Sequence, residues 1–237
     1  MSFLDPYTSW ADGRVRFTRL QASRFAKQVA NDFNPIHDVE AKRFCVPGDL
    51  LFAVLINRLG LHPHMHFSFS GMVGDGVALH FDESTAGGVK LVDERGKEYL
   101  RAHFNGEPNR DPSVIEKLVR NYVHFSGQNF PHVLEPLMAE HNVMINIDRP
   151  LVIYESMSLN LDHANIQGAE IEHTGAHMEV LGKRGNVCLT FRFLEEGKEV
   201  GTGEKKMVLS GLREYEASVM SQMVERYDQR KLDQIDL

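Results

Sequence analysis

Along residues 19–30 the apolar positions Ala22, Phe25, Ala26 and Val29 recur at three- and four-residue steps, which lines one face of a helix. Thr18-Arg19-Leu20-Gln21 ahead of them is a capping box, in which a hydroxyl and an amide satisfy N–H groups that a helix start leaves open. Asn31 can take the left-handed stop, and the chain then enters a loop, Asp32-Phe33-Asn34-Pro35-Ile36-His37. A second helix is predicted from Pro47-Gly48 to Leu59. It is apolar nearly all round, so other structure has to enclose it. Strand-like runs follow at 64–72, 76–82 and 97–105, punctuated by Gly74-Asp75-Gly76, Gly87-Gly88 and Asp93-Glu94-Arg95-Gly96. An enclosed helix followed by a strand meander is the order expected of a sheet wrapped round a helix.

The same order returns in the second half. Asp111-Pro112-Ser113 opens a helix with proline at its first position, and Ile115, Leu118, Val119, Tyr122 and Val123 form its apolar stripe. It ends at Ser126-Gly127; a loop at 128–132, a helical stretch at 133–142 and strand-like runs at 151–161, 169–181, 187–195 and 200–209 follow. The spacing from Thr18 to Asp111 nearly equals that from His37 to His132, so the pattern reads as a degenerate tandem duplication with halves 1–108 and 109–237. The fold class is α+β. A last amphipathic helix is expected over 213–230, with Tyr215, Val219, Met220, Met223 and Tyr227 on one face, docking on the sheet or on a partner subunit.

Composition narrows the function classes. No Pro/Gly/Ser-rich linker divides the 237 residues, so they form one large domain or two half-domains sharing a core. A formal charge of -7 without a basic block argues against nucleic acid or an anionic membrane as partner, because both need a basic face to release counterions. The two cysteines, Cys45 and Cys188, form neither a disulfide framework nor a CxxC pair, which fits a reducing compartment. The opening MSFLDPYTSW lacks a basic stretch followed by an apolar run, and no apolar run is long enough to span a bilayer. The expectation is a cytoplasmic protein.

The loop after the first helix carries the chemistry. Pro35 fixes its own φ and holds Asn34 extended, a stiff hook on which Asp32 and His37 can converge. A carboxylate and an imidazole sharing one water can take a proton from it and deliver one elsewhere. The run Asp32-Phe33-Asn34-Pro35-Ile36-His37 resembles the D-x-N-P-[hydrophobic]-H pattern of the MaoC-like, (R)-specific enoyl-CoA hydratases, and Gly48 follows at the start of an apolar helix as it does there. The strict resemblance covers about 25–55. It implies a double hot-dog fold of two tandem helix-wrapped antiparallel sheets with a C-terminal helix. It also implies Asp32 and His37 as the acid/base pair, Asn34 as the orienting group, and Gly48 as the backbone donor to an enolate oxygen at a helix N-terminus.

Several positions depart from that pattern. Ala30-Asn31 stands where the family has Ser-Gly, the segment from His37 to Gly48 is shorter, and Pro47-Gly48-Asp49 replaces His-Gly-Met. Asp49 would oppose enolate charge if it points inward, or would favour the helix start if it faces solvent. In the second half, 126–132 keeps Ser-Gly, Asn, Pro and His but lacks the carboxylate, so it reads as structural or as lining the acyl site. His62, His64 and His66 alternate at strand spacing and fit a polar strand face better than a metal site, and Cys45 reads as a small buried residue.

The resemblance therefore implies a hydratase or dehydratase of acyl thioesters on coenzyme A or acyl carrier protein, without metal or redox cofactor. Two further readings stay open: a non-catalytic acyl-CoA or acyl-carrier-protein binder, and a thioesterase in which Asp32 directs water at the carbonyl. A monomer with an internal pseudo-dimer is expected, with the last helix able to make it a homodimer.

Overall fold

The computed structural model describes residues 2–84, 88–147 and 151–235. Six helices are described: α1 (Arg19–Gln28), α2 (Gly48–Leu59), α3 (Pro112–Gly127), α4 (Asn129–His132), α5 (Leu134–Glu140) and α6 (Ala217–Ile235). A small hairpin joins β1 (Ser9–Ala11) and β2 (Arg14–Arg16). The main strands are β3 (His64–Phe69), β4 (His80–Asp82), β5 (Gly88–Val92), β6 (Glu98–Asn105), β8 (Val152–Leu161), β9 (Glu170–Leu181), β10 (Arg184–Glu195) and β11 (Lys198–Ser210). Two short strands, β7 (Val143–Met144) and β12 (Arg213–Glu214), pair with each other.

The eight main strands form one antiparallel sheet in the order β4-β5-β6-β3-β8-β11-β10-β9. Four strands from each side of α3 meet where β3 pairs with β8, in register from His64↔Asn160 to Ser68↔Ser156. α2 is the helix this sheet encloses: every residue from Leu50 to Ile56 is buried, and Phe52 meets Phe67 of β3 and Tyr122 of α3 edge-on at 5.1 and 5.0 Å. Each such large apolar side chain contributes about 1.5–3 kcal/mol when removed from water. The counterpart in the second half is the short α5, whose Leu134, Leu137 and Met138 share a cluster with Met178, Leu189 and Met207 of the sheet. A helix packed on antiparallel strands, twice in one chain and followed by a terminal helix, is the α+β double hot-dog arrangement. No helix among the described residues is long and apolar enough to cross a membrane.

The structure corrects several expected boundaries. β5, between two turn signals, shows no alternation because it lies inside the sheet with four of its five residues buried. Gly87, the first residue of the turn expected before it, lies outside the described residues. The hairpin at 9–16 was also silent in the apolar pattern, although Asp12 and Gly13, with φ of 51° and 71°, give it the left-handed turn that such hairpins prefer. The expected helix 213–230 begins only at Ala217, because Arg213 and Glu214 pair with β7 and the Tyr215 N–H binds the Asn142 carbonyl. The expected loop 128–132 holds the helical turn α4, kinked at Phe130.

Candidate functional site

The capping box starts α1 as expected, and Asn31 at φ 52° turns the chain out of it. Asp32 Oδ1 then accepts the Asn34 N–H at 2.9 Å, and Asn34 Oδ1 accepts the Ile36 N–H at 3.2 Å, capping a 3-10 turn over Pro35–His37. These two local bonds wind six residues so tightly that His37 Nε2 comes to 3.6 Å from Asp32 Oδ2. The other ring nitrogen, Nδ1, lies 2.7 Å from the Cys45 carbonyl. A carbonyl only accepts, so Nδ1 carries a proton, and Nε2 is the ring nitrogen that faces the carboxylate. Cys45 serves through its backbone, which also binds the Ile36 carbonyl; burial pushes its thiol up to about 11, away from thiolate chemistry.

Asp32, Asn34, His37 and Gly48 all line one cavity of about 380 Å³. Gly48 is the first residue of α2, whose N-cap, Pro47, offers no side-chain cap. Its N–H is therefore among those without an intrahelical acceptor. A Cβ at Gly48 would stand 2.8 Å from the ring of Tyr154, which stacks on Phe69 at 4.3 Å, so only glycine lets the helix end pass this aromatic pair.

Asp49 does not face solvent. It is 7 % exposed, and its Oδ2 accepts the Ser126 hydroxyl at 2.6 Å. Ser126 Oγ accepts in turn from Lys205 Nζ at 2.5 Å, and the same ammonium lies 4.1 Å above the Tyr154 ring. Burial raises the Asp49 pKa and lowers that of Lys205, and each charge pulls the other back towards its ionised form. Asp49, beside Gly48, thus has a buried basic partner on β11, reached through Ser126. Nothing in the motif pointed to Lys205. The signal lay in the alternation of β11, where Lys205 shares the inward register of Gly201, Gly203, Met207 and Leu209.

The second half contributes Ser126, Gly127 and Asn129 to the same wall, whereas His132 is exposed. The two loops touch backbone to backbone. A Cβ at Gly127 would lie 1.8 Å from the Ala30 carbonyl oxygen and 3.1 Å from the Asp32 nitrogen. Gly127→Ala is expected to cost about 1–3 kcal/mol, read from the urea midpoint, with Gly74→Ala as the tolerated control because its nearest neighbour is 3.9 Å away. α6 closes the arrangement. Tyr227 Oη accepts the Phe33 N–H and donates to the Gly127 carbonyl, both at 3.3 Å, and Arg230 reaches Asp38 at 3.0 Å. Removing that hydroxyl in Tyr227→Phe leaves a buried N–H unmet and is expected to lower stability by about 1–3 kcal/mol, with faster amide exchange at Phe33.

The histidine run separates on folding. His62 is buried against the Gly106 carbonyl and stacks on Phe104, while His64 and His66 lie on the exposed face of β3, His66 bonded to Ser158. Among the described residues no group of three or more His, Cys, Asp or Glu side chains converges as a metal site.

The family profile for DUF3581, described as a protein of unknown function, matches residues 2–218. The chain belongs to the DUF3581 family. A search of curated proteins finds no significant match. Among solved structures, this DUF3581 member is similar to a MaoC-like dehydratase, with 13 % identity and a TM-score of 0.46 over 86 % of this chain and 98 % of the other. It is also similar to an acyl-CoA thioesterase II from Mycobacterium marinum (11 %, 0.44, over 90 % and 97 %). A hot-dog protein of unknown function from Alicyclobacillus acidocaldarius gives 8 % and 0.48, over 89 % and 98 %. Likeness at this level does not carry activity to the DUF3581 chain.

Proposed function

We propose that this protein hydrates an α,β-unsaturated acyl thioester, or dehydrates the corresponding 3-hydroxyacyl thioester, on coenzyme A or acyl carrier protein. The observation that carries the reading is the 3.6 Å approach of Asp32 Oδ2 to His37 Nε2 at the wall of the cavity, with the opposite ring nitrogen tied to a carbonyl. A water bound by both groups would give a proton to His37 Nε2 as its oxygen adds to C3. The electron pair of the C=C bond moves towards the thioester oxygen, and a proton then reaches C2 from the dyad. In this reading Gly48 N–H, at the positive end of α2, meets the developing oxyanion. Asn34 acts as a positioning residue, since its side-chain oxygen holds the turn that presents His37.

The test follows absorbance in the unsaturated-thioester band with short, medium and long enoyl-CoA substrates. Loss of absorbance without release of free thiol supports hydration. Thiol release on saturated acyl-CoA would replace it with thioester hydrolysis by the same dyad. Binding without either reaction would make this a carrier of acyl thioesters.

A further inference from the structure

The bonds that wind the Asp32–His37 loop, from Asp32 Oδ1 to the Asn34 N–H and from Asn34 Oδ1 to the Ile36 N–H, are local. The residues that directly follow each member of the dyad, Phe33 and Asp38, are gripped from far along the chain, by α6. Phe33 gives its N–H to Tyr227 Oη at 3.3 Å, and its carbonyl lies 3.5 Å from Arg230 Nη1. The same guanidinium nitrogen donates to Asp38 Oδ2 at 3.0 Å, while Lys27 of α1 holds Asp38 Oδ1, also at 3.0 Å. The Tyr227 ring stands edge-on to Phe33 at 6.1 Å and to Phe130 of the second half's loop at 5.0 Å, so one side chain is wedged between the two loops.

We infer that α6 is a clamp on the dyad, with Arg230 and Tyr227 as positioning residues that set the approach of His37 to Asp32. The inference rests on the dyad reading of the site and adds the terminal helix to it. The separation under control is a sensitive one. At 3.6 Å, Asp32 Oδ2 and His37 Nε2 are too far apart for a direct hydrogen bond and close enough to share a water, so a small shift of the loop changes what passes between them. Misplacing a reacting group by about 1 Å can lower a rate by about 100-fold. The polar part of the clamp adds little to folding. The Arg230 side chain is 43 % exposed and that of Asp38 24 %, and ion pairs so open to solvent contribute little to stability. Removing it therefore moves the loop without unfolding the chain.

The experiment is Arg230→Gln in the full chain, read by thermal melting, by steady-state hydration of enoyl-CoA and by proton–nitrogen NMR of the His37 ring. The melting midpoint should stay native. The kcat is expected to fall about 10- to 100-fold with KM within about twofold of native, because the loss falls on orientation and not on binding. The His37 ring-nitrogen signals should move from their native positions, and Tyr227→Phe, which drops the bond to the Phe33 N–H, should move the same signals. Arg230→Lys should restore most of kcat, since an ammonium can still pair with Asp38. Native kcat with unmoved His37 signals overturns the inference. A raised KM at native kcat also overturns it and makes α6, which lines the cavity through Met223 and Tyr227, a wall only. A lowered kcat with unmoved signals overturns it too, because Arg230 would then act on the substrate directly. Moved His37 signals in a protein whose native chain hydrates no enoyl thioester keep the clamp and remove the hydration reading. Unmoved signals in such a protein overturn both.

Discussion

Asp32→Asn is expected to lower the rate of enoyl-thioester hydration by about 10²–10⁴-fold while leaving the fold and the binding of saturated acyl-CoA unchanged. Asparagine is the informative replacement because Asp32 does two separable things. Its Oδ1 accepts the Asn34 N–H and so shapes the loop, and its Oδ2 faces His37 Nε2. The amide oxygen can keep the first contact. What disappears is the negative charge that stabilises a protonated His37 after the imidazole has taken a proton from water. Steady-state hydration, with circular dichroism and acyl-CoA titration alongside, separates these roles. A variant that hydrates at the native rate would remove Asp32 from the chemistry, and a variant that no longer binds acyl-CoA would make it a loop former.

Lys205→Met should destabilise the protein by about 3–5 kcal/mol, because it strips the counter-charge from a buried carboxylate. Asp49 lies 7 % exposed and reaches Lys205 through Ser126, whose hydroxyl donates to the carboxylate and accepts from the ammonium. The Lys205→Met, Asp49→Leu double variant is expected to regain most of the loss, since it leaves neither charge buried alone. Urea denaturation of the four proteins in this cycle gives the coupling directly. Additive losses would show that the two groups do not sense each other, and a native midpoint for Lys205→Met would show that Asp49 is neutral in the folded protein. The same residues bear on the site. With Lys205 gone, an ionised Asp49 beside Gly48 would oppose an oxyanion at the end of α2.

Local chemistry wrote much of this molecule into the chain. The capping box at Thr18, the left-handed Asn31 and the hook of Asn34-Pro35 are interactions among neighbours, and each is found where the residues place it. The all-apolar α2 announced that it would be enclosed, and its bounds in the structure are those its sequence marks. Asp32 and His37 were legible for the same reason: five residues apart on a stiff turn, they can hardly avoid each other. Signals that depend on exposure failed where both faces of an element are covered. β5 shows no alternation inside the sheet, and the start of the last helix is lost to the pairing of β12 with β7.

The sequence by itself thus marked α1, α2 and α3, most of the long strands and the hook that joins Asp32 to His37, all through patterns among residues close together along the chain. Only the tertiary structure decided what surrounds that hook. It turned Asp49 inward, set Lys205 behind it from a strand more than half the chain away, and pressed Gly127 against Ala30 so that both loops share one cavity. It also buried the Asn129 side chain, whose amide atoms find no hydrogen-bond partner in the protein. The physical reason is that a buried charge or amide is defined by the partners that take it out of water, and those partners come from distant segments that no local pattern reports.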